Sequence, residues 1–392
     1  MFQTRILNRL VLVTLLVALV AGCGGSSTTT GSKSPFKVGA VFSLTGAASA
    51  INQTYYHDTQ MIVADLNSSG GLNGRQIQVT YENDQSDPAQ GVTVAKLLIN
   101  QVGVHVLLGP IFTPPTVAVA SLAQSSQVVM FTPGATASQL TSPLQKYIFT
   151  AYPTAQVAAN VIVNMMQSMG LKKPGVIVES DTYGDSYLSG LKSSLTGTGV
   201  NLADQVSIAA GATDATTQVA QLARDGVDVI IGAAADASMT SVYKAAYQQK
   251  VNVPILSVSI SAATETLLTS SVPIEVYAPS PLACALTGPC VTSFLQEYKQ
   301  RYPSDSVAPQ TVQGYAAISA FFAALKNAKS DSANDVVQAL ETSPGYQAAV
   351  LPAPIQWTSK DHLGEHTLFL EGFKGGKLYF FGNNINQNHI GG

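Results

Sequence analysis

Charge is scarce in this chain. Asp, Glu, Lys and Arg make up 11% of it, and 20 basic against 23 acidic residues leave a net charge of −3. There is no Lys/Arg-rich block and only one Trp, which excludes the basic, aromatic-studded surface that nucleic acid requires. The sequence has no G-x-S-x-G, no Walker A run and no G-x-G-x-x-G after a strand. His57, His105 and His389 are scattered, with no Cys or Asp pattern that would mark a triad or a metal site. "HLGEH" (362–366) matches a zinc-protease string, but ligation there needs a helix. Gly364, the extended "APIQW" before it and the β-rich "TLFLEGF" after it argue against one, so His362 is read as a turn residue. "SGLK" (189–192) falls within a helix and lacks companion motifs. No metal, no cofactor and no enzymatic activity are expected.

What is present begins with an apolar run. Arg5 and Arg9 precede Leu10–Ala21, interrupted in polarity only by Thr14. The run is too short to span a bilayer comfortably and has the length of a signal-peptide core. It ends in "LVAGC", which resembles the lipobox of bacterial lipoproteins and implies lipidation of Cys23. Removing residues 1–22 takes two arginines and no acid, leaving −5. "GGSSTTTGSKSP" (24–35) has nothing apolar to bury and reads as a tether spanning about 20 Å. The expected setting is extracytoplasmic: the periplasm or the outer face of the plasma membrane. There Cys284 and Cys290, flanking the turn-forming "ALTGP", read as a structural disulfide, its short loop contributing about 2 kcal/mol.

At 392 residues the chain is long enough for two or more domains. From Phe36 it alternates strand-like and helix-like segments. "KVGAVF" (37–42) reads as a buried strand, "YYHDTQMIVADLN" (55–67) has helical spacing, and "GGLNG" (70–74) ends that helix. "QIQVTYE" (76–82) is the next strand, and Asp87 before Pro88 opens the next helix. The rhythm continues through "VHVLLG", "TVAVASLAQ" and "VVMFTPG", and restarts after "YIFTAYPTA" (147–155). This is βαβ repetition, hence parallel sheets with helices on both faces. "GEHTLFLEGFKGGKLYFFG" (364–382) reads as a hairpin turning at Gly375-Gly376, assigned to the second half.

"KVGAVFSLTG", "VADLNSSGGLNGRQIQVTYENDQSDPAQ", "LLGPIFTPPTVAVA", "FTPGATASQLT" and "DTYGDSYLSGL" follow in that order, with "QGYAAISAFFAALKNA" and "APIQWTSKDH" near the end. As a set they resemble the branched-chain amino-acid-type (Leu/Ile/Val-binding protein-like) periplasmic solute-binding proteins of ABC transporters, over essentially all of residues 36–382. The resemblance implies an α/β, two-lobe type I periplasmic-binding-protein fold. Each lobe would be a mostly parallel sheet flanked by helices, with three crossovers at the hinge, near 150–153, 276–281 and 346–351. Lobe 1 would comprise 36–151 plus 279–346, and lobe 2 152–278 plus 347–392.

In doubly wound sheets the ligand crevice lies at the carboxyl ends of the strands. "GPIFTPPT" follows one such end, with Thr113 at an N-cap position and Pro114 in the first turn. The helix N-terminus there favours an anion such as a carboxylate. "FTPGAT" follows the neighbouring strand: it is a turn, and Gly134 and Thr136 make it also half of an anion cradle. The resemblance assigns a ligand's carboxylate and ammonium to Thr113, Gly134 and Thr136, and places Tyr183 across the cleft, where the bare sequence allows an exposed loop aromatic. Amino-acid binders of this type carry a glutamate after the strand that is here "PILSVSIS". The matching position is Ser259, between Ser257 and Ser261. An uncompensated ammonium in a closed cleft would cost several kcal/mol. Asp236 of "GAAADAS" could supply the charge, or could cap its helix. Ala233, Ala234 and Ala235 stand where some relatives place an aromatic wall. A carboxylate or amide ligand is therefore expected in preference to a simple branched-chain amino acid.

These features lead to the expectation of a monomeric, lipid-anchored receptor that closes on a small ligand and delivers it to an ABC permease. A sensor reporting to a signalling partner would use the same pocket.

Overall fold

The computed structural model of the chain describes residues 33–382. The signal segment, Cys23 and most of the tether lie outside the described residues. The first half runs β1 (Phe36–Phe42), α1 (Ser49–Ser68), β2 (Ile77–Asn83), α2 (Pro88–Leu97), β3 (Val106–Leu108), α3 (Thr113–Ser125), β4 (Val129–Thr132) and β5 (Ile148–Thr150). The second runs α4 (Ala155–Ser168), β6 (Pro174–Glu179), α5 (Thr182–Leu195), β7 (Asp204–Ile208), α6 (Thr216–Arg224), β8 (Val229–Ala233), α7 (Asp236–Gln248), β9 (Ile255–Ser257), α8 (Ala262–Ser270) and β10 (Val276–Ser280). The chain then returns through α9 (Thr292–Arg301), α10 (Pro309–Leu325) and α11 (Ala333–Thr342), and ends in β11 (Phe369–Lys374) and β12 (Lys377–Gly382).

One five-stranded sheet has the order β2-β1-β3-β4-β5, parallel throughout. The other, seven-stranded, has the order β12-β11-β10-β9-β8-β6-β7; it is parallel from β10 to β7 and antiparallel at β11 and β12. The period-2 geometry of strands assigns the cores. Val38, Ala40 and Phe42 face a core shared with α1 and α10, whereas Val41 and its neighbours Leu107 and Met130 face α2 and α3. In the second sheet Ile177, Ile230 and Ile255 face α6 and α7, and Val176, Val229 and Leu256 face α4 and α5. Strands buried on both faces read as unbroken apolar runs, which is why the sequence shows them plainly.

Asp87 caps α2 as its sequence suggests, accepting from the Gln90 amide at 2.7 Å. The final hairpin turns at Gly375 and Gly376, both at positive φ, and joins the second sheet beside β10. Two expectations need correction. Helix α1 starts at Ser49, six residues earlier than its apolar spacing suggests, because "SAINQT" continues the helix along the interlobe cleft. The third crossover does not lie near 346–351. Residues 346–364 stay with the first sheet: Ile355 and Trp357 enter the core of α10 and β4, and the Trp357 indole donates to the Thr150 carbonyl at 2.7 Å. Gly364 N–H also donates to Thr150, His362 O accepts from the Thr150 amide, and the His362 ring stacks on Phe149. β5 is an edge strand whose free backbone groups need partners, and this segment supplies them. The crossing therefore falls between Gly364 and Phe369.

Cys284 and Cys290 are bonded to each other, with Cα atoms 6.3 Å apart, and pack beside Val291 and Val312.

Candidate ligand-binding site

A cavity of about 330 Å³ lies between the two sheets. Its wall is built from the residues that follow the carboxyl ends of parallel strands. Ile111, Phe112 and Thr113 follow β3, and Gly134 and Thr136 follow β4. From the second sheet come Tyr183 after β6, Ala235 and Asp236 after β8, and Ser259 and Ser261 after β9. The N-terminal turns of α1 and α10 complete it with Asn52, Tyr55, Ala308 and Gln310. All six residues singled out in the sequence (Thr113, Gly134, Thr136, Tyr183, Asp236 and Ser259) are thus brought to one cavity.

On the first lobe, Thr113 is the first residue of α3, and Phe112 occupies the N-cap position without a side-chain cap. This corrects the expected capping role. The Thr113 hydroxyl instead accepts from the Thr136 amide at 3.2 Å and lies 3.3 Å from the Thr136 hydroxyl. Donors and hydroxyls are gathered in one place and satisfy one another, and an incoming carboxylate would exchange for those bonds. Gly134 is required by close approach: a Cβ there would meet Ile111 Cγ2 at 2.7 Å and the Tyr55 hydroxyl at 3.2 Å. Tyr55 itself lies flat on Gly314 of α10, where a Cβ would meet its ring at 2.1 Å.

On the second lobe, Tyr183 and Tyr187 share one face of α5, their rings in edge contact at 5.0 Å between centroids. Tyr183 also meets Phe112 of the first lobe, at 6.4 Å, and Tyr187 hydrogen-bonds the Thr136 side chain across the cleft. Burial keeps both phenols neutral, Tyr187 being pushed up to about 12. Asp236 opens α7 but does not cap it; Ala235 is in that position. Its carboxylate accepts from Ser259 Oγ at 3.5 Å and from the Ser261 amide. Burial raises its acid to about 6, with nearby Glu179 adding to the rise and the Ser259 and Ser261 bonds opposing it. Of the three alanines, Ala235 lines the cavity, whereas Ala233 and Ala234 are core residues.

Glu179 went unnoticed in the sequence. It ends β6, is 1% exposed, and accepts from the Ala235 amide at 2.7 Å, Ser238 Oγ at 2.8 Å and the Gly211 amide at 3.2 Å. It thereby satisfies orphan donors at the start of α7 and holds the turn that presents Asp236. Tyr187 was legible as the i+4 partner of Tyr183. Tyr55, Tyr152 and Gln310 carried no local signal.

Three comparisons bear on this geometry. A family model described as periplasmic binding protein matches residues 35–377. The chain is similar to an amino acid binding protein of Pseudomonas aeruginosa, at 22% identity over 81% of this chain and 85% of that protein. It is 24% identical to the Leu/Ile/Val-binding protein of Escherichia coli K12, over 54% of this chain and 58% of that protein, little more than half of that relative's length. A solved structure of a fatty acid ABC transporter substrate-binding protein from Thermomonospora curvata matches with a TM-score of 0.78, 22% identity, and coverage of 91% and 94% of the two chains. Similarity at that level concerns the fold.

Proposed function

This chain belongs to the periplasmic binding protein family, with its type I two-lobe α/β fold, and we propose that it is a lipid-anchored receptor that delivers a small ligand to an ABC importer permease. The observation that carries this reading is the single wall formed by strand-end residues of both sheets around one cavity. In this proposal the ligand is an amino acid or an analogue bearing a carboxylate or amide. Thr113, Gly134 and Thr136 receive its carboxylate, and Tyr183, Asp236 and Ser259 close over it from the second lobe. Differential affinity for the closed arrangement biases the hinge, and the closed form docks on the permease. Cys23 tethers the receptor to the membrane. No residue has a catalytic role, consistent with relatives that are named as binding proteins.

Thermal unfolding of the full-length chain against a panel of amino acids, amine-free acids and short amides tests the binding role. A ligand at 100 times its Kd adds about 2.7 kcal/mol, a clear shift of the melt. A panel that produces no shift overturns the reading. Cys23→Ala should release the protein from the membrane fraction; retention would remove the anchor from the proposal.

A further inference from the structure

We propose that Glu365 is a proton-dependent latch at the hinge: it takes a proton from water as the two lobes close and returns it as they open, so that pH sets the share of receptor held closed. The inference rests on the two-lobe binding-protein reading above and concerns the regulation of the same cavity. Glu365 is the glutamate of the "HLGEH" string, whose histidines are engaged elsewhere. His362 stacks on Phe149 with its Nε2 3.2 Å from Glu341 Oε1, and His366 pairs with Asp361 at 2.9 Å. Glu365 is the first residue of the third crossing, directly after Gly364, whose N–H is bonded to Thr150 of the first lobe. Gln313 of α10 joins two crossings at once. Its Nε2 donates to the Ala151 carbonyl at the first and to Glu365 Oε2 at the third, the latter at 3.0 Å. The bond to Ala151 fixes which end of the amide is which, because a carbonyl can only accept. Gln313 Oε1 and Glu365 Oε1 are then both buried acceptors without a partner among the described residues.

As a carboxylate, Glu365 would leave two empty acceptors and an uncompensated charge in the interior. A proton removes the charge and gives the pair the O–H donor that both oxygens lack. The titratable groups facing Glu365 are the phenols of Tyr55 on α1 and Tyr152 at the first crossing, both kept neutral by burial. Both also line the cavity, so the latch sits behind the ligand-facing wall. The arrangement described is the closed one: Tyr187 hydrogen-bonds Thr136, and Gln310 Nε2 reaches the Ile260 carbonyl at 3.5 Å, each across the cleft. Hinge motion is absorbed by the crossings. Opening carries residue 365 away from Gln313 and admits water, which favours the carboxylate. In the closed form burial pushes the acid to about 8, and hydration returns it toward 4.5. An acid whose closed-form value lies above its open-form value favours closure in full below about pH 4.5. The closed-to-open ratio then falls by up to tenfold per pH unit until about pH 8.

Small-angle X-ray scattering of the ligand-free, full-length chain between pH 5 and pH 9 tests the latch independently of the ligand, with circular dichroism confirming the fold at each pH. The wild type should expand as pH rises and level off above about pH 8. Glu365→Gln, fixed in the neutral form, should keep one size throughout. Glu371→Gln is the control. That acid is also pushed to about 8, but Glu265 and Ser280, which act on it, belong to its own lobe, so this variant should expand as the wild type does. A wild type of constant size overturns the latch, and needs no variant to do so. A Glu365→Gln chain that expands in parallel with the wild type, or a Glu371→Gln chain that stays compact, overturns it equally. A wild type of constant size that is still stabilised by a ligand of the panel loses the latch alone. A panel with no binder removes the binding role whatever the scattering shows.

Discussion

Glu365 lies 1% exposed beside the interlobe crossings. Gln313 of α10 donates to its Oε2 at 3.0 Å and also to the Ala151 carbonyl at the first crossing, while Oε1 has no partner among the described residues. Burial pushes the acid from 4.5 to about 8, with the Gln313 bond opposing the rise. At pH 7 the folded protein thus holds a proton here that the unfolded chain releases. A folded pKa above the unfolded one gives stability that is complete below about pH 4.5 and is lost progressively up to about pH 8. One such group contributes a slope of about −1.4 kcal/mol per pH unit, or roughly 5 kcal/mol across the window. Glu371, 4% exposed and also pushed to about 8 by burial and by Glu265, acts in the same direction. Glu365→Gln mimics the protonated form and removes one group's slope. Urea unfolding at pH 5, 6, 7 and 8 should show the variant gaining on the wild type by about 1.4 kcal/mol per unit. Parallel pH profiles for the two proteins would refute the reasoning, as would wild-type stability that rises over this range.

Two further outcomes follow from the geometry. Gly134→Ala places a Cβ 2.7 Å from Ile111 Cγ2 and 3.2 Å from the Tyr55 hydroxyl, so the side chains must shift into the cavity that both line, and about 1–3 kcal/mol should be lost together with ligand affinity; a variant that melts and binds like the wild type would contradict this. Glu179→Gln turns an N–H toward one of the donors that Glu179 now accepts from, costing about 1–3 kcal/mol; hydrogen exchange at the Ala235 amide should accelerate, and unchanged exchange would remove Glu179 from its role in holding α7.

The sequence by itself determined the repeating β and α elements, because strands buried on both faces must be continuously apolar and their helices must carry a 3.6-residue stripe. It also located the loops after β3, β4, β6, β8 and β9, since parallel βαβ units present those loops on one edge of the sheet. That is why Thr113, Gly134, Thr136, Tyr183, Asp236 and Ser259 could be named from local signals. Tertiary structure alone decided the rest. Trp357 reads as the end of an extended stretch and His362 as a turn residue, yet they complete the exposed edge of β5, a demand set by a strand some two hundred residues earlier. Gln310 joins the cavity because α10 packs on α1 and its amide meets the Ile260 carbonyl of the other lobe. Asp236 reads as a helix cap, but Ala235 takes the N-cap position, its amide held by Glu179 from another strand, and Asp236 becomes the cavity's carboxylate. Local pattern follows from burial and backbone geometry, which each segment carries within itself. The charge balance of the cavity depends on which distant groups have found partners, and only the assembled fold decides that.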